Sequence, residues 1–183
     1  LEFRRVLFRS TSWGVFGLAD TPGALYGPRG ITVDAKGRVF VADTGNKRIM
    51  IYDSNGGILG AFGDTGLQPG QFNEPVDVKL DLKGNVYVTD TWNQRVQVFS
   101  PLEDDVTYIP VIQWPVRGWR SQNLENKPYL AISMDGKVFI TDPEGYRVIQ
   151  FESNGEFIQL GGTFGTGPEN FGLASGIGID KDG

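Results

Sequence analysis

The chain has 183 residues, no Cys, no His and a net charge of −5. That length fits one mid-sized domain, and the missing residue types exclude a disulfide framework, a Cys/His zinc site and a His-based triad within these residues. High glycine (26 residues) with 12 Phe, 6 Tyr and 4 Trp among short apolar runs points to an all-β protein, and no run approaches the roughly 20 apolar residues of a membrane-spanning helix.

In chain order, residues 1–10 read LEFRRVLFRS, a string that resembles the translation of a sequencing adapter. Such a segment is set aside before fold reasoning, and the chain is then expected to be a piece of a longer gene. The segment holds Glu2 against Arg4, Arg5 and Arg9, so without it the net charge falls to −7. An acidic body argues against a broad phosphate-binding surface, and hence against nucleic acid as a partner.

The remainder repeats itself. VFVADTGNKRIMIYD at 39–53 matches VYVTDTWNQRVQVFS at 86–100, and both match VFITDPEGYRVIQFE at 138–152. Two anchors keep register, Asp43, Asp90 and Asp142, then Arg48, Arg95 and Arg147. The copies stand 47 and 52 residues apart. Gly37, Gly84, Gly136 and Gly183 mark the turn before each motif. Within the first copy, residues 31–34, 38–43, 48–53 and 58–62 read as four strands separated by Gly/Asn-rich turns. Val39 and Val41 alternate with Phe40 and Ala42; both sets are apolar, so these strands are expected to be covered on both faces. No window sustains a 3.6-residue period, so no helix is predicted.

A repeat of this length with four strands marks a propeller blade. The reading is a partial β-propeller of four-stranded antiparallel blades. Residues 11–27 end a preceding blade, with 13–17 as its last strand. Blades follow at 28–74, 75–127 and 128–173, and 174–183 opens another. That is about three blades of six. Both flanks of such a piece expose apolar sheet faces, so the remaining blades are expected as partners.

These motifs resemble the NHL-repeat family of six-bladed propellers. The resemblance runs from residue 13 to 183. In the first copy it rests on Pro28, Gly30, Asp34, Gly37, Asp43, Asn46 and Arg48; in the second on Pro75, Asp81, Gly84, Asp90, Asn93 and Arg95. In the third it rests on Pro128, Gly136, Asp142 and Arg147. Asp77 replaces the opening glycine of the second copy, and Gly145 replaces the asparagine of the third. The family's eponymous His is absent, its place taken by Lys47, Gln94 and Tyr146.

The repeated residues read as scaffold. Each Asp ends a strand and can accept backbone N–H groups in the following turn. Asn46, Asn93 and Gly145 suit a left-handed backbone, which both residue types tolerate. The arginines would pair with an Asp of the same or a neighbouring blade. A ring of three carboxylates is also a conceivable cation site, but repetition at fixed positions is what turns produce, and no metal ligand or cofactor is assigned.

The non-repeated residues are the binding candidates. Trp92 and Tyr146 lie in turns between second and third strands. The connection after the second blade, WPVRGWRSQNLENK at 114–127, replaces the glycine-rich GDTGLQPGQFNE of 63–74 with Trp114, Arg117, Trp119 and Arg120. Aromatic and Arg side chains on a loop can stack on sugars or anchor a protein; equally, indoles there can pack over a blade edge. Asp77, near the start of an innermost strand, is a candidate to face the central channel.

The expected function is a non-catalytic binding or scaffold module of a larger bacterial protein, presenting one loop face to a protein, glycan or small ligand. Two alternatives stand beside it. One is an extracytoplasmic propeller appended to a membrane glycosyltransferase, which the stretch 114–132 resembles. The other is a gluconolactonase-like hydrolase, although no catalytic constellation lies within these residues and a fold does not specify chemistry.

Overall fold

The computed structural model describes residues 12–116, 119 and 125–180; residues 1–10 lie outside them. β1 (Val15–Phe16) and β2 (Ala24–Leu25) pair in parallel. Blade A follows: β3 (Ile31–Val33), β4 (Val39–Asp43), β5 (Arg48–Tyr52) and β6 (Ile58–Phe62), antiparallel and in sequential order. A second parallel pair, β7 (Asp64–Thr65) with β8 (Gln71–Phe72), leads into blade B. Its strands are β9 (Pro75–Leu80), β10 (Val86–Asp90), β11 (Arg95–Pro101) and β12 (Tyr108–Pro115). Blade C consists of β13 (Leu130–Ile132), β14 (Val138–Asp142), β15 (Arg147–Phe151) and β16 (Phe157–Gly161). A third parallel pair ends the described chain, β17 (Thr163–Phe164) with β18 (Asn170–Phe171).

The turns explain why strands of this length recur. After the first strand of blades A and B a side-chain oxygen accepts two backbone N–H groups and folds the chain back; in blade C Ser133 Oγ accepts one, from Lys137 at 3.0 Å. Asp34 Oδ1 takes Lys36 and Arg38 N–H at 2.9 and 2.8 Å. Asp81 Oδ1 takes Lys83 and Asn85 N–H at 2.8 and 2.9 Å. Gly37 and Gly84 supply the positive φ these turns require, +79° and +83°. Each third strand meets its fourth through a register shift at one fixed place, between Ile51/Tyr52, Val98/Phe99 and Gln150/Phe151. A bulge there twists the outer strand away from the inner three. The second-to-third turns of blades A and B are single 3-10 turns, 44–46 and 91–93, which periodicity did not predict because one turn has no period to detect.

The blades pack face to face, and the alternation along β4 becomes two separate cores. Phe40, Ala42, Ile49 and Ile51 of blade A meet Val78, Val88, Phe99 and Tyr108 of blade B. Val39, Val41, Met50 and Tyr52 point the other way and pack with Leu25 of the preceding segment. Between blades B and C a third core joins Val96, Val98 and Trp114 to Leu130, Ile140, Ile149 and Phe151. The innermost strand β9 packs against both β3 and β13. Close approach there explains one glycine: a Cβ on Gly30 would stand 2.6 Å from Asp77 Cα and 2.7 Å from the Val76 carbonyl.

The segment expected as a strand at 13–17 pairs only over two residues, with a parallel rather than an antiparallel partner. The same parallel arrangement recurs at β7/β8 and β17/β18, so this is how the connections leave a fourth strand.

Candidate functional site

The second-to-third turns and the connections between blades lie on one face, called the upper face below. Each turn there is built on a buried carboxylate. Asp43 Oδ1 accepts Tyr26 N–H at 2.7 Å, and its Oδ2 accepts Asn46 Nδ2 at 2.8 Å and Arg48 Nε at 2.9 Å. Asn46 also donates to the Gly17 carbonyl (3.1 Å), and Arg48 to the Ala24 carbonyl (2.7 Å). Asp90 repeats this geometry, accepting Asn73 and Glu74 N–H, Asn93 Nδ2 and Arg95 Nε. Asn93 then holds the Gly66 carbonyl at 2.9 Å, and Arg95 those of Leu67 and Gln71, each at 2.7 Å. In both blades the Asp-Asn-Arg set ties the turn to the connection that enters the blade. Blade C keeps Arg147 Nε on Asp142 at 2.8 Å.

One sequence expectation changes here. The left-handed residues are Lys47 (φ +57°), Gln94 (+51°) and Tyr146 (+53°), one position after Asn46, Asn93 and Gly145. The asparagines are present for their amides, which bridge the carboxylate and a connection carbonyl. Gly145 does without an amide because its own N–H reaches Asp142 Oδ1 at 3.2 Å, and a Cβ there would lie 2.3 Å from Asp142 Oδ2. The arginines each pair with the Asp of their own blade. Each of the three carboxylates is occupied by donors of its own turn, joined at Asp43 and Asp90 by N–H groups of the entering connection, and among the described residues no three His, Cys, Asp or Glu are grouped to hold a metal.

The aromatic candidates divide. Trp92 is exposed at the tip of the blade B turn. Beneath it lies Lys127, whose ammonium sits 6.0 Å from the indole centre, a cation–π arrangement. Lys127 is itself buried and donates to Glu74 Oε2 at 2.7 Å, which also accepts the Thr91 hydroxyl at 2.5 Å. Tyr146 is half-buried, its ring 4.8 Å from Phe164. Trp114 and Trp119 are not on the surface: they are 6 % and 1 % exposed and belong to the B–C core. Their indole N–H groups meet no acceptor among the described residues. Packing is their role. Register gives the reason: Trp114 pairs with Val96 as Phe62 pairs with Ile49 and Gly161 with Val148. It is a fourth-strand core residue in a repeated position. Trp119 enters the B–C core from the connection, as Phe72 enters the A–B core. Arg117 and Arg120 lie outside the described residues.

Asp77 also departs from expectation. It is 1 % exposed, buried between the inner strands. Its Oδ1 pairs with Lys79 Nζ at 2.7 Å, and its Oδ2 accepts Leu130 N–H at 3.0 Å. It is an inter-blade tie between β9 and β13. Sequence reading missed the Glu74–Lys127 pair, because the partners are 53 positions apart and neither belongs to the repeat.

The NHL repeat model matches residues 25–52 and 72–99, each span running from a connection through the third strand of its blade. Solved structures agree on the fold. A catalytically inactive variant of virginiamycin B lyase from Staphylococcus aureus, with quinupristin, shares 16 % identity at a TM-score of 0.57, over 85 % of this chain and 46 % of that one. A functionally unknown protein from Desulfotomaculum acetoxidans shares 22 % at 0.56, over 82 % and 46 %. A candidate 6-phosphogluconolactonase from Bacteroides uniformis shares 16 % at 0.53, over 74 % and 42 %. No curated protein sequence matches. The chain thus has a β-propeller fold with NHL repeats in blades A and B, and it spans less than half the length of these structures.

Proposed function

We propose that the chain is part of a non-catalytic binding or scaffold propeller that presents its upper face to a protein or glycan partner, with Trp92 as the central contact and Tyr146 beside it. The observation that carries this reading is a division of labour. The repeated polar residues are consumed in tying turns to connections, whereas Trp92 projects from that rigid frame with a buried cation–carboxylate pair fixing the turn below it. Large aromatic side chains on rigid loops are the usual anchors of interfaces. The remaining blades of the ring would complete the face.

Lyase chemistry finds no support in these residues. The structurally similar virginiamycin B lyase is catalytically inactive when one His is replaced by Ala, and this chain contains no His. The likeness to a candidate lactonase is one of fold.

The test uses Trp92→Ala and Trp114→Ala in the full chain, read by glycan-array and peptide-display binding together with thermal melting. Trp92→Ala is expected to abolish the selected binding with melting unchanged. Trp114→Ala is expected to lower melting. Unchanged binding in Trp92→Ala would overturn the reading.

A further inference from the structure

The lower face, where first-to-second and third-to-fourth turns lie, differs between the two blade pairs. In the A–B pair the gap behind the turns is filled. Tyr108 lies edge-on to Phe40 at 5.7 Å and stacked on Phe62 at 5.1 Å. Arg38 donates to Asp34 at 2.6 Å and to the Asp105 carbonyl. Tyr108 and Asp105 are supplied by the long hairpin joining β11 to β12. A cleft of about 340 Å³ remains there, and its lining stops at Arg38 and Asp105.

Blade C has a shorter hairpin between β15 and β16, in which Phe151 already pairs with Phe157. Nothing there corresponds to Tyr108, and Asn85 stands where blade A has Arg38. The B–C gap is therefore a deeper cleft of about 380 Å³ that runs inward to Tyr87 and Val98. Its volume falls within the range of small-molecule sites.

The lining defines the chemistry. One wall presents Asp81, Lys83, Asn85 and Ser100, and the other Ser133, Asp135 and Ser153. Val98, Val111 and Ile112 form an apolar side. Burial and the nearby Asp81 charge push the Tyr87 phenol up to about 12, so it stays a neutral hydroxyl at physiological pH. Charges of both signs are present, and Asp135 is already paired with Lys137 at 2.6 Å, which disfavours a phosphate or a strongly cationic ligand. Tyr87 is 2 % exposed, so no ring face is offered to an aromatic ligand. Ser100, Ser133 and Tyr87 already donate their hydroxyls to Asn85, Asp135 and Asp81, so the groups left to a ligand are the Ser153 hydroxyl, the Lys83 ammonium and the spare acceptor capacity of the Asp81 carboxylate. Donors and acceptors of this kind on two walls, with an aliphatic side, suit a saturated ring that carries hydroxyls on its edge and C–H groups on its face.

We propose that the B–C cleft of the lower face is a binding site for a small neutral polyhydroxylated ring, a monosaccharide or cyclitol, separate from the upper-face surface. The experiment is saturation-transfer NMR on the full chain with methyl α-D-glucopyranoside, methyl α-D-mannopyranoside, N-acetylglucosamine and myo-inositol as probes. At least one is expected to bind with a Kd on the order of millimolar, the range a ligand of that size reaches. Two cleft-blocking variants on exposed turns, Ser153→Trp and Met134→Trp, are expected to weaken it about tenfold or more. Lys36→Ala, in the A–B gap, is expected to leave it unchanged. The proposal is overturned if none of the four compounds gives a signal, or if both blocking variants melt normally and keep the full signal.

Discussion

Ile31 and Val78 stand at the same register position, each opposite the middle valine of its blade, Val41 or Val88. Ile31 is 60 % exposed and Val78 is 0 %. Blade B lies between two neighbours, so its inner strand is covered on both faces, whereas the described chain places no blade against the outer face of β3. At the other flank Phe157, Phe164 and Leu173 are exposed in the same way. The comparison teaches that a propeller strand's stability belongs to the pair of blades around it. Sequence makes the faces apolar; the neighbouring blade decides whether that apolarity stabilises.

The sharpest way to break this comparison is at the turn carboxylates. Asp90→Ala would leave Arg95, 8 % exposed, without its carboxylate partner and release the connection N–H groups; the expected loss is about 3–5 kcal/mol in denaturant unfolding. Asp142→Ala in blade C, where Arg147 is more exposed, should cost about 1–2 kcal/mol. Equal losses in the two blades would show that flank and centre are energetically alike.

Next in size is the register pair itself. Val78→Ala removes fully buried methyl groups and is expected to cost about 2 kcal/mol, while Ile31→Ala should stay within about 0.5 kcal/mol. A comparable loss at Ile31 would mean that its exposed face is covered in solution.

Alkaline titration supplies a smaller, signed effect. The Tyr87 phenol titrates at about 12 in the fold against 10.0 in the unfolded chain, through burial first and the Asp81 charge second. Its contribution is fully present below pH 10 and is lost as pH rises toward about 12, because only the unfolded state ionises in that window. Tyr87→Phe should therefore flatten the decline in stability across that window; an unaltered pH profile would show that Tyr87 does not contribute to it. The smallest effect on stability is expected at Trp92→Ala, within about 0.5 kcal/mol, since the side chain is half in solvent. A drop in melting comparable to that of Trp114→Ala would assign Trp92 to packing.

Much of the scaffold was legible because repetition exposes it. Asp43, Asp90 and Asp142 in register, with Arg48, Arg95 and Arg147 five residues on, located the turns and their ion pairs. The binding residues were less legible. Trp114 reads as a loop residue when its connection is compared with 63–74, because Phe62, Trp114 and Gly161 share a position but no residue type. Strand register shows the equivalence at once. Asn46 and Asn93 were assigned to the right turn but to the wrong torsion, since the same residue serves both a left-handed backbone and an amide bridge.

Sequence by itself determined the strand order within each blade, the apolarity of both faces and the positions of the turns. These depend on local alternation and on side-chain to backbone hydrogen bonds within a few residues. Only the tertiary structure decided which aromatic side chains reach solvent, that Lys127 neutralises Glu74 beneath Trp92, and that a short hairpin in blade C leaves a cleft that Tyr108 closes between blades A and B. Those outcomes depend on contacts between blades roughly 50 residues apart, where burial and pairing are set by shape and distance rather than by local pattern.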